Sequence, residues 1–360
     1  MSIFGIKMKL FVGLMLCFVV GIIILSMLAR DKNEPILPQL ASDESLLAKL
    51  PPEPDFVSMV FAGDVMMDRG VRASVNKNFS GDYNKLFEKV RFMKTFDIAF
   101  ANLEGPASDQ GKDLKNLYSF RMDPAVIKTL RGIGIDIVSM ANNHVGDWMR
   151  EAFTDTLDKL LDGSILYTGG GFDKAEAETP TILERNGIKI GFLGFSDVGP
   201  IWMEAKNDEP SLPAEAGAQA GILLAGDPRF AEIVSNATKQ VNYLVVSFHW
   251  GDEYKPIHNK RQEALAHVAV DNGAKLIIGH HPHVIQDTEV YKGSFIAYSL
   301  GNFMFDQSWS KPTMRGMILE VRLSKDGSMT VKKNTTEQNR LYQIENIIEG
   351  VEEKIGLQQI

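Results

Sequence analysis

The chain has 360 residues, 44% hydrophobic and 23% charged, ordinary globular proportions that exclude a mainly disordered, collagen-like or multi-spanning membrane protein. Its 38 basic and 46 acidic residues leave a net charge of −8, which argues against nucleic acid as a partner, since that needs a basic footprint. One cysteine, Cys17, excludes an internal disulfide framework and a thiolate zinc site and leaves His, Asp, Glu and Asn as metal ligands.

Leu10–Leu28 is a run of 19 residues without a charge, close to the roughly 20 that a bilayer-spanning helix needs. Residues 1–29 read as a short cytoplasmic tip and an uncleaved transmembrane helix. The bulk of the chain is then expected on the extracytoplasmic side of the cytoplasmic membrane. A cleaved signal peptide is the rival reading; its apolar region would be long, and Met27 is too large for the −3 position. Residues 30–55 hold Pro35, Pro38, Pro51, Pro52 and Pro54, five of the fifteen prolines, and read as an extended stalk. Beyond residue 29 the charge is 36 − 46 = −10, because Lys7 and Lys9 are the only charges removed.

The body opens with a strand, FVSMVFAGD, followed by helical spacing over Tyr83–Phe96. DIAFANLEG is a second strand, and a helix over Pro124–Leu130 follows with Asp123 as its cap. DIVSMANNH is a third strand, Asp147–Leu161 a helix, and ILYTGGG a strand ending in a glycine turn. TILERNGIKIGFLGF predicts a hairpin turning at Asn186-Gly187. Residues 199–227 are irregular. Phe230–Lys239 and Arg261–Val270 read as helices around the buried strand VNYLVVSFHWG, and AKLIIGHHPH is another strand. Two hairpins turn at Lys292-Gly293 and Asp326-Gly327. A final helix is expected over Leu341–Ile355. This order predicts an α/β sandwich with mixed sheets: one domain over 56–335 and a helical tail over 336–360.

The chemistry gathers at the ends of the apolar runs, where open α/β sheets bind ligands. These ends carry Asp64, then Asn102 and Glu104, then Asn142, Asn143 and His144, then His249, Asp252 and Glu253, then His280, His281 and His283. Five of the seven histidines fall there, whereas His258 and His267 sit in a helical stretch and read as structural. Three imidazoles within His280–His283 suit a metal better than solvent. Mixed imidazole, carboxylate and amide donors suit Mn, Fe or Zn, as one ion or two. Such an ion polarises a phosphoryl or carbonyl oxygen, and a histidine beside it can protonate a leaving group. Arg69 and Arg72 lie just past Asp64 and can bind an anion. Trp250 and Tyr254 flank the His249 loop and read as packing residues.

GDVMMDRGV, FANLEGP, ANNHVGD, SFHWGDEY, IGHHPHVIQ and YSLGNFMFDQ occur in an order that resembles the calcineurin-like metallophosphoesterase fold, and more closely its capsule-synthesis branch, the CapA/PgsA family. The resemblance spans roughly 57–310. It implies a metallophosphoesterase-like sandwich with Asp64, Glu104, Asn143, His249, His281 and His283 as metal ligands and His280 as an alternative. It implies His144 as the acid beside the leaving group, and places Asn302 and Asp306 in a supporting shell. Three departures from the hydrolytic members stand out: Met66 replaces the His of Asp-x-His, Asn-Leu-Glu replaces Gly-Asp, and Val145 replaces an acid after Asn-His.

The resemblance further implies a membrane-anchored protein of poly-γ-glutamate capsule biosynthesis. Its partners would be the anionic polymer, an amide ligase and a small membrane subunit. Two other functions fit the same residues. One is a metal-dependent phosphoesterase or γ-glutamyl-bond hydrolase not tied to capsule. The other is a non-catalytic assembly scaffold.

Overall fold

FVSMVFAGDV is apolar on both sides of the pleat, as a strand covered on both faces must be, and it forms β1 (Phe56–Val65) near the middle of a nine-stranded sheet. The computed structural model describes residues 54–207 and 217–356. The expected anchor at Leu10–Leu28 and all but the last two residues of the expected stalk lie outside the described residues. Among the described residues, no helix is long and apolar enough to cross a membrane.

In chain order the elements are β1, α1 (Arg69–Phe79), two 3₁₀ segments (Tyr83–Leu86 and Glu88–Thr95), β2 (Ile98–Leu103), α2 (Ala125–Ile133), β3 (Ile137–Ser139), α3 (Met149–Asp162), β4 (Leu166–Thr168) and β5 (Gly170–Gly171). Next come α4 (Lys174–Glu178), β6 (Thr181–Arg185), β7 (Ile188–Ser196), β8 (Gly221–Ile222), α5 (Phe230–Thr238), β9 (Tyr243–His249), α6 (Lys260–Asp271) and β10 (Ala274–His280). The chain closes with β11 (Thr288–Tyr291), β12 (Ser294–Ala297), β13 (Asn302–Met304), β14 (Arg315–Ser324), β15 (Met329–Gln338), β16 (Ile344–Ile348) and β17 (Glu352–Ile355).

The large sheet runs β16-β15-β14-β1-β2-β3-β4, with β13 added to β1 and β17 to β15. A second, six-stranded sheet runs β11-β12-β10-β9-β7-β6. Both are mixed. β1 to β4 are parallel, as are β7, β9, β10 and β12, while hairpin strands flank each set. The sheets pack face to face through Phe61, Phe100, Phe192, Val245, Ile278 and Leu319, all buried. Phe100 stacks on Phe192 across this layer with ring centroids 5.9 Å apart. The outer face of the large sheet is covered by α1, α2 and α3, and that of the smaller sheet by α5 and α6. The expected α/β sandwich is therefore present, in four layers.

Two expectations about elements need correction, and one helix was not anticipated. Tyr83–Phe96 is not an α-helix but two 3₁₀ segments that break at Phe87. The helix α1 had no clear signal. Its buried residues are only Val71, Ser74 and Val75, and its first turn is held by a distant carboxylate, Asp306 Oδ2, which accepts from the Gly70 N–H at 3.0 Å. The helix expected over Leu341–Ile355 is replaced by strands: β16 and β17 both pair antiparallel with β15, which itself runs through the expected boundary at 335/336. The apolar residues of this segment have helix-like spacing, but the edge of the long strand β15 offers a row of backbone partners, and tertiary pairing overrides local preference.

At Gly63, the residue before Asp64, the strands leave no room for a side chain. A Cβ added there would stand 1.9 Å from the Gly301 carbonyl oxygen, which accepts the neighbouring Asp64 N–H at 3.0 Å. Gly63→Ala is expected to lower the unfolding free energy by about 1–3 kcal/mol through overpacking. Urea unfolding measures this directly, and wild-type stability in the variant would refute the crowding.

Candidate metal centre

Parallel strands end together, so the register of each sheet decides which side chains meet. In the large sheet Asp64 of β1 is level with Asn102 of β2 and Asn302 of β13. In the smaller sheet His249 of β9 is level with His280 of β10. The carboxyl ends of the two sheets converge, and the loops after β2, β3 and β10 bring in Glu104, Asn143 with His144, and His281 with His283.

Asp64 is fully buried and sits at the centre. Its Oδ1 accepts from Asn102 Nδ2 at 2.8 Å and lies 3.3 Å from His280 Nδ1. Its Oδ2 accepts from the His281 N–H at 3.2 Å and lies 3.5 Å from His283 Nδ1. Glu104 Oε1 is 3.7 Å from His283 Nε2 and 3.9 Å from His144 Nε2. His249 Nε2 faces Asn143 Oδ1 at 2.8 Å, and His283 Nδ1 faces Asn302 Oδ1 at 3.0 Å. His281 and His283 both adopt the left-handed backbone, with φ of 95° and 58°, a conformation that costs a non-glycine residue about 1–2 kcal/mol.

The electrostatics follow from burial and from like charges held together. Burial alone would raise the Asp64 carboxyl, but the imidazoles of His280 and His283 hold it well below the usual carboxylate range. Burial, and then the charge on Asp64, push Glu104 well above that range. Burial and the neighbouring His281 keep His249 far below the usual imidazole range. His281 is lowered to about 3 by burial and by His283. Burial opposes charging of His283 too, yet Glu104 and Asp64 lift it to about 9.

Several donor atoms here have no hydrogen-bond partner although they are buried: both Glu104 oxygens, both His280 ring nitrogens and His281 Nδ1. Buried polar atoms are nearly always satisfied, and an unpaired buried carboxylate is costly. A divalent cation is the partner this chemistry fits. Asp64, Glu104 and His249 each offer a ligand atom within 4.8 Å of the others, and so do Glu253, His281 and His283.

The remaining expected residues divide. Arg69 lines a cleft of about 350 Å³ over the donors, together with Phe120, His144, Tyr254, His283 and Trp309. Asp306 holds it there, accepting from Arg69 Nε at 3.0 Å. Asn302 supports His283, and its own Nδ2 donates to Gln307 Oε1 and the Thr313 carbonyl. Arg72 does not line the cleft; it pairs with Asp68 at 3.2 Å and donates to the Arg121 carbonyl, because α1 turns it away from Asp64. Trp250 packs as expected, buried and stacked on Phe248, whereas Tyr254 lines the cleft.

Two residues outside the expected set of ligands and acid acquire a role in the structure. Asp147 Oδ2 accepts from His144 Nδ1 at 2.7 Å; it stood in the motif ANNHVGD but read as the start of a helix. Glu253, in SFHWGDEY, carried the signal of an acid four residues after a strand-end histidine.

Residues 58–307 match the family described as bacterial capsule synthesis protein PGA_cap. The chain is 32% identical over 277 residues to the PGA biosynthesis protein CapA of Bacillus subtilis (strain 168), covering 76% of this chain and 70% of that protein. It is 32% identical over 287 residues to the capsule biosynthesis protein CapA of Bacillus anthracis, covering 77% and 66%. Among solved structures, the 5'-nucleotidase of Candida albicans SC5314 aligns over 79% of this chain and 54% of its own, with 10% identity and a TM-score of 0.42. The profile match and the two Bacillus relatives agree, and the chain belongs to the PGA_cap family of bacterial capsule synthesis proteins.

Proposed function

We propose that the chain acts in the assembly, release or export of an anionic, poly-γ-glutamate-like capsular polymer, through a metallophosphoesterase-like head. One observation carries this reading in a chain of this family: the Glu104 carboxylate, buried without a hydrogen-bond partner, lies 3.7 Å from His283 and 3.9 Å from His144, and both of these line the cleft that holds Arg69. Residues 10–28 would anchor the chain in the cytoplasmic membrane with the head outside, beside an amide ligase and a small membrane subunit.

Asp64, Glu104, His249 and the Asn143 amide oxygen would hold a divalent ion, with Mn, Fe and Zn all suited to these donors. When bound, it supplies Lewis acidity toward a carbonyl or phosphoryl oxygen. The protein's own groups do the rest. Asp306 fixes the Arg69 guanidinium toward an incoming carboxylate, and Phe120 and Tyr254 wall the cleft. A second reading, hydrolysis of a phosphoester or γ-glutamyl bond, is favoured by the His144–Asp147 pair, which aims His144 Nε2 toward Glu104.

The head bears an excess of acidic residues, so polymer binding must come from short-range attraction in the cleft, because surface charges are screened beyond about 8–10 Å. Binding of a poly-γ-glutamate chain to the full-length protein is expected to be lost in excess chelator and to weaken in Arg69→Ala and in rising salt. Calorimetry reads all three, and equal binding with chelator present would sink the proposal.

A further inference from the structure

We propose that Glu253 completes a second divalent-cation position with His281 and His283, adjacent to the position held by Asp64, Glu104 and His249. The inference rests on the metal-binding reading above and adds a ligand to it. At the place where an Asp-x-His motif would supply a further imidazole, this chain has Met66, buried against Phe120 and Phe305; its side chain contributes no nitrogen. A different segment brings a donor instead.

That segment is the loop after β9, and two backbone bonds fix it to the histidine loop after β10. The Trp250 N–H donates to the His280 carbonyl at 3.1 Å, and the Tyr254 N–H donates to the Pro282 carbonyl at 2.8 Å. Glu253 lies between these anchors, so its carboxylate is carried to the rim of the cleft, where it shares a wall with His283. Ligand atoms of Glu253, His281 and His283 then lie within 4.8 Å of one another. His281 is only 7% exposed, and its Nδ1 is buried without a partner. Glu253 itself is exposed, and an exposed carboxylate costs little to leave free; the orphaned imidazole is the reason to assign a ligand here.

Charge balance points the same way. Asp64, Glu104 and Glu253 contribute three negative charges to the two donor groups. One divalent ion would leave the donors at −1, which repels an anionic substrate. Two ions leave them at +1, which attracts one. The second position therefore converts an acidic floor into an anion-binding one, and it opens toward the cleft where substrate must arrive.

The test counts ions in the full chain, purified in mild detergent, stripped and reloaded with Mn²⁺ alone and in parallel with Zn²⁺. Wild type is expected to retain two equivalents and Glu253→Gln one, with the two-ion Mn²⁺ form giving a spin-coupled electron paramagnetic resonance spectrum that reverts to an isolated-ion spectrum in the variant. Retention of the remaining equivalent shows that the variant is folded. Two equivalents in both proteins, or one in both, overturns the Glu253 position and leaves the first one standing. No equivalent of either metal in wild type overturns both.

Discussion

Chelation of the full chain is expected to lower its melting temperature by roughly 5–10 °C. An ion held at about 100 times its Kd stabilises the fold by about 2.7 kcal/mol, and a domain of this size shifts about 2–4 °C per kcal/mol. The sign follows from the site. Without a cation, Asp64 and Glu104 confront each other in a buried space, and the Glu104 oxygens have no donor at all. A bound ion removes that repulsion and satisfies those atoms. Glu104→Gln with His249→Ala removes two of the three donors in the Asp64 group, so this variant should lose most of the chelator-dependent shift. Scanning calorimetry together with elemental analysis decides the matter. Coincident wild-type melts with less than a tenth of an equivalent of metal per chain would contradict the centre.

His144→Ala is expected to reduce hydrolysis of a phosphodiester chromogen by roughly 10²–10⁴-fold, the usual contribution of a general acid, while leaving the bound metal in place. Asp147 is the reason His144 can serve. A carboxylate only accepts, so the proton on the 2.7 Å contact belongs to His144 Nδ1, and Nε2 is left facing the cleft. Asp147 is itself held by the Phe120 N–H at 2.9 Å and the Asn116 amide at 3.0 Å. Asp147→Asn should therefore depress kcat with little change in KM, since it disturbs the orientation and tautomer of His144 rather than the metal ligands. Undiminished turnover in His144→Ala would remove His144 from the chemistry. A wild-type chain that binds metal and polymer but turns over nothing would leave the binding reading and exclude the hydrolytic one.

The charge of the head takes on a different meaning beside this site. The acidic excess beyond residue 29 does not identify the partner; under the proposed function, attraction would have to be concentrated where Arg69 and a bound cation offset it. The buried imidazoles matter in the same way. His249 and His281 are kept neutral by burial, so their ring lone pairs are available to a cation at neutral pH, with no proton to displace. His283, lifted to about 9, must give up a proton when a cation binds, so loading should release protons and strengthen with rising pH.

The motif order and the strand ends were legible from residues alone. Apolar runs such as FVSMVFAGD and AKLIIGHHPH are long enough to be strands whatever surrounds them, and a polar residue at such an end has nowhere to go but the sheet's rim. Asp64, Glu104, His249 and His281 could therefore be picked out without coordinates, and the hairpin turns at Asn186-Gly187 and Lys292-Gly293 rest on local backbone preferences that any context preserves. What depended on distant partners was not legible. Local spacing suggested a helix over Leu341–Ile355, but the edge of β15 drew that segment into the sheet. Arg69 and Arg72 are equivalent on paper; only Asp306, 237 residues from Arg69 along the chain, turns the first into the cleft, while Asp68 holds the second elsewhere. Glu253 joins His281 and His283 only because two backbone hydrogen bonds tie their loops together. Strand identity is a local property of the chain; which donors share one cation is set by the register and convergence of two sheets, and that exists only once the chain has folded.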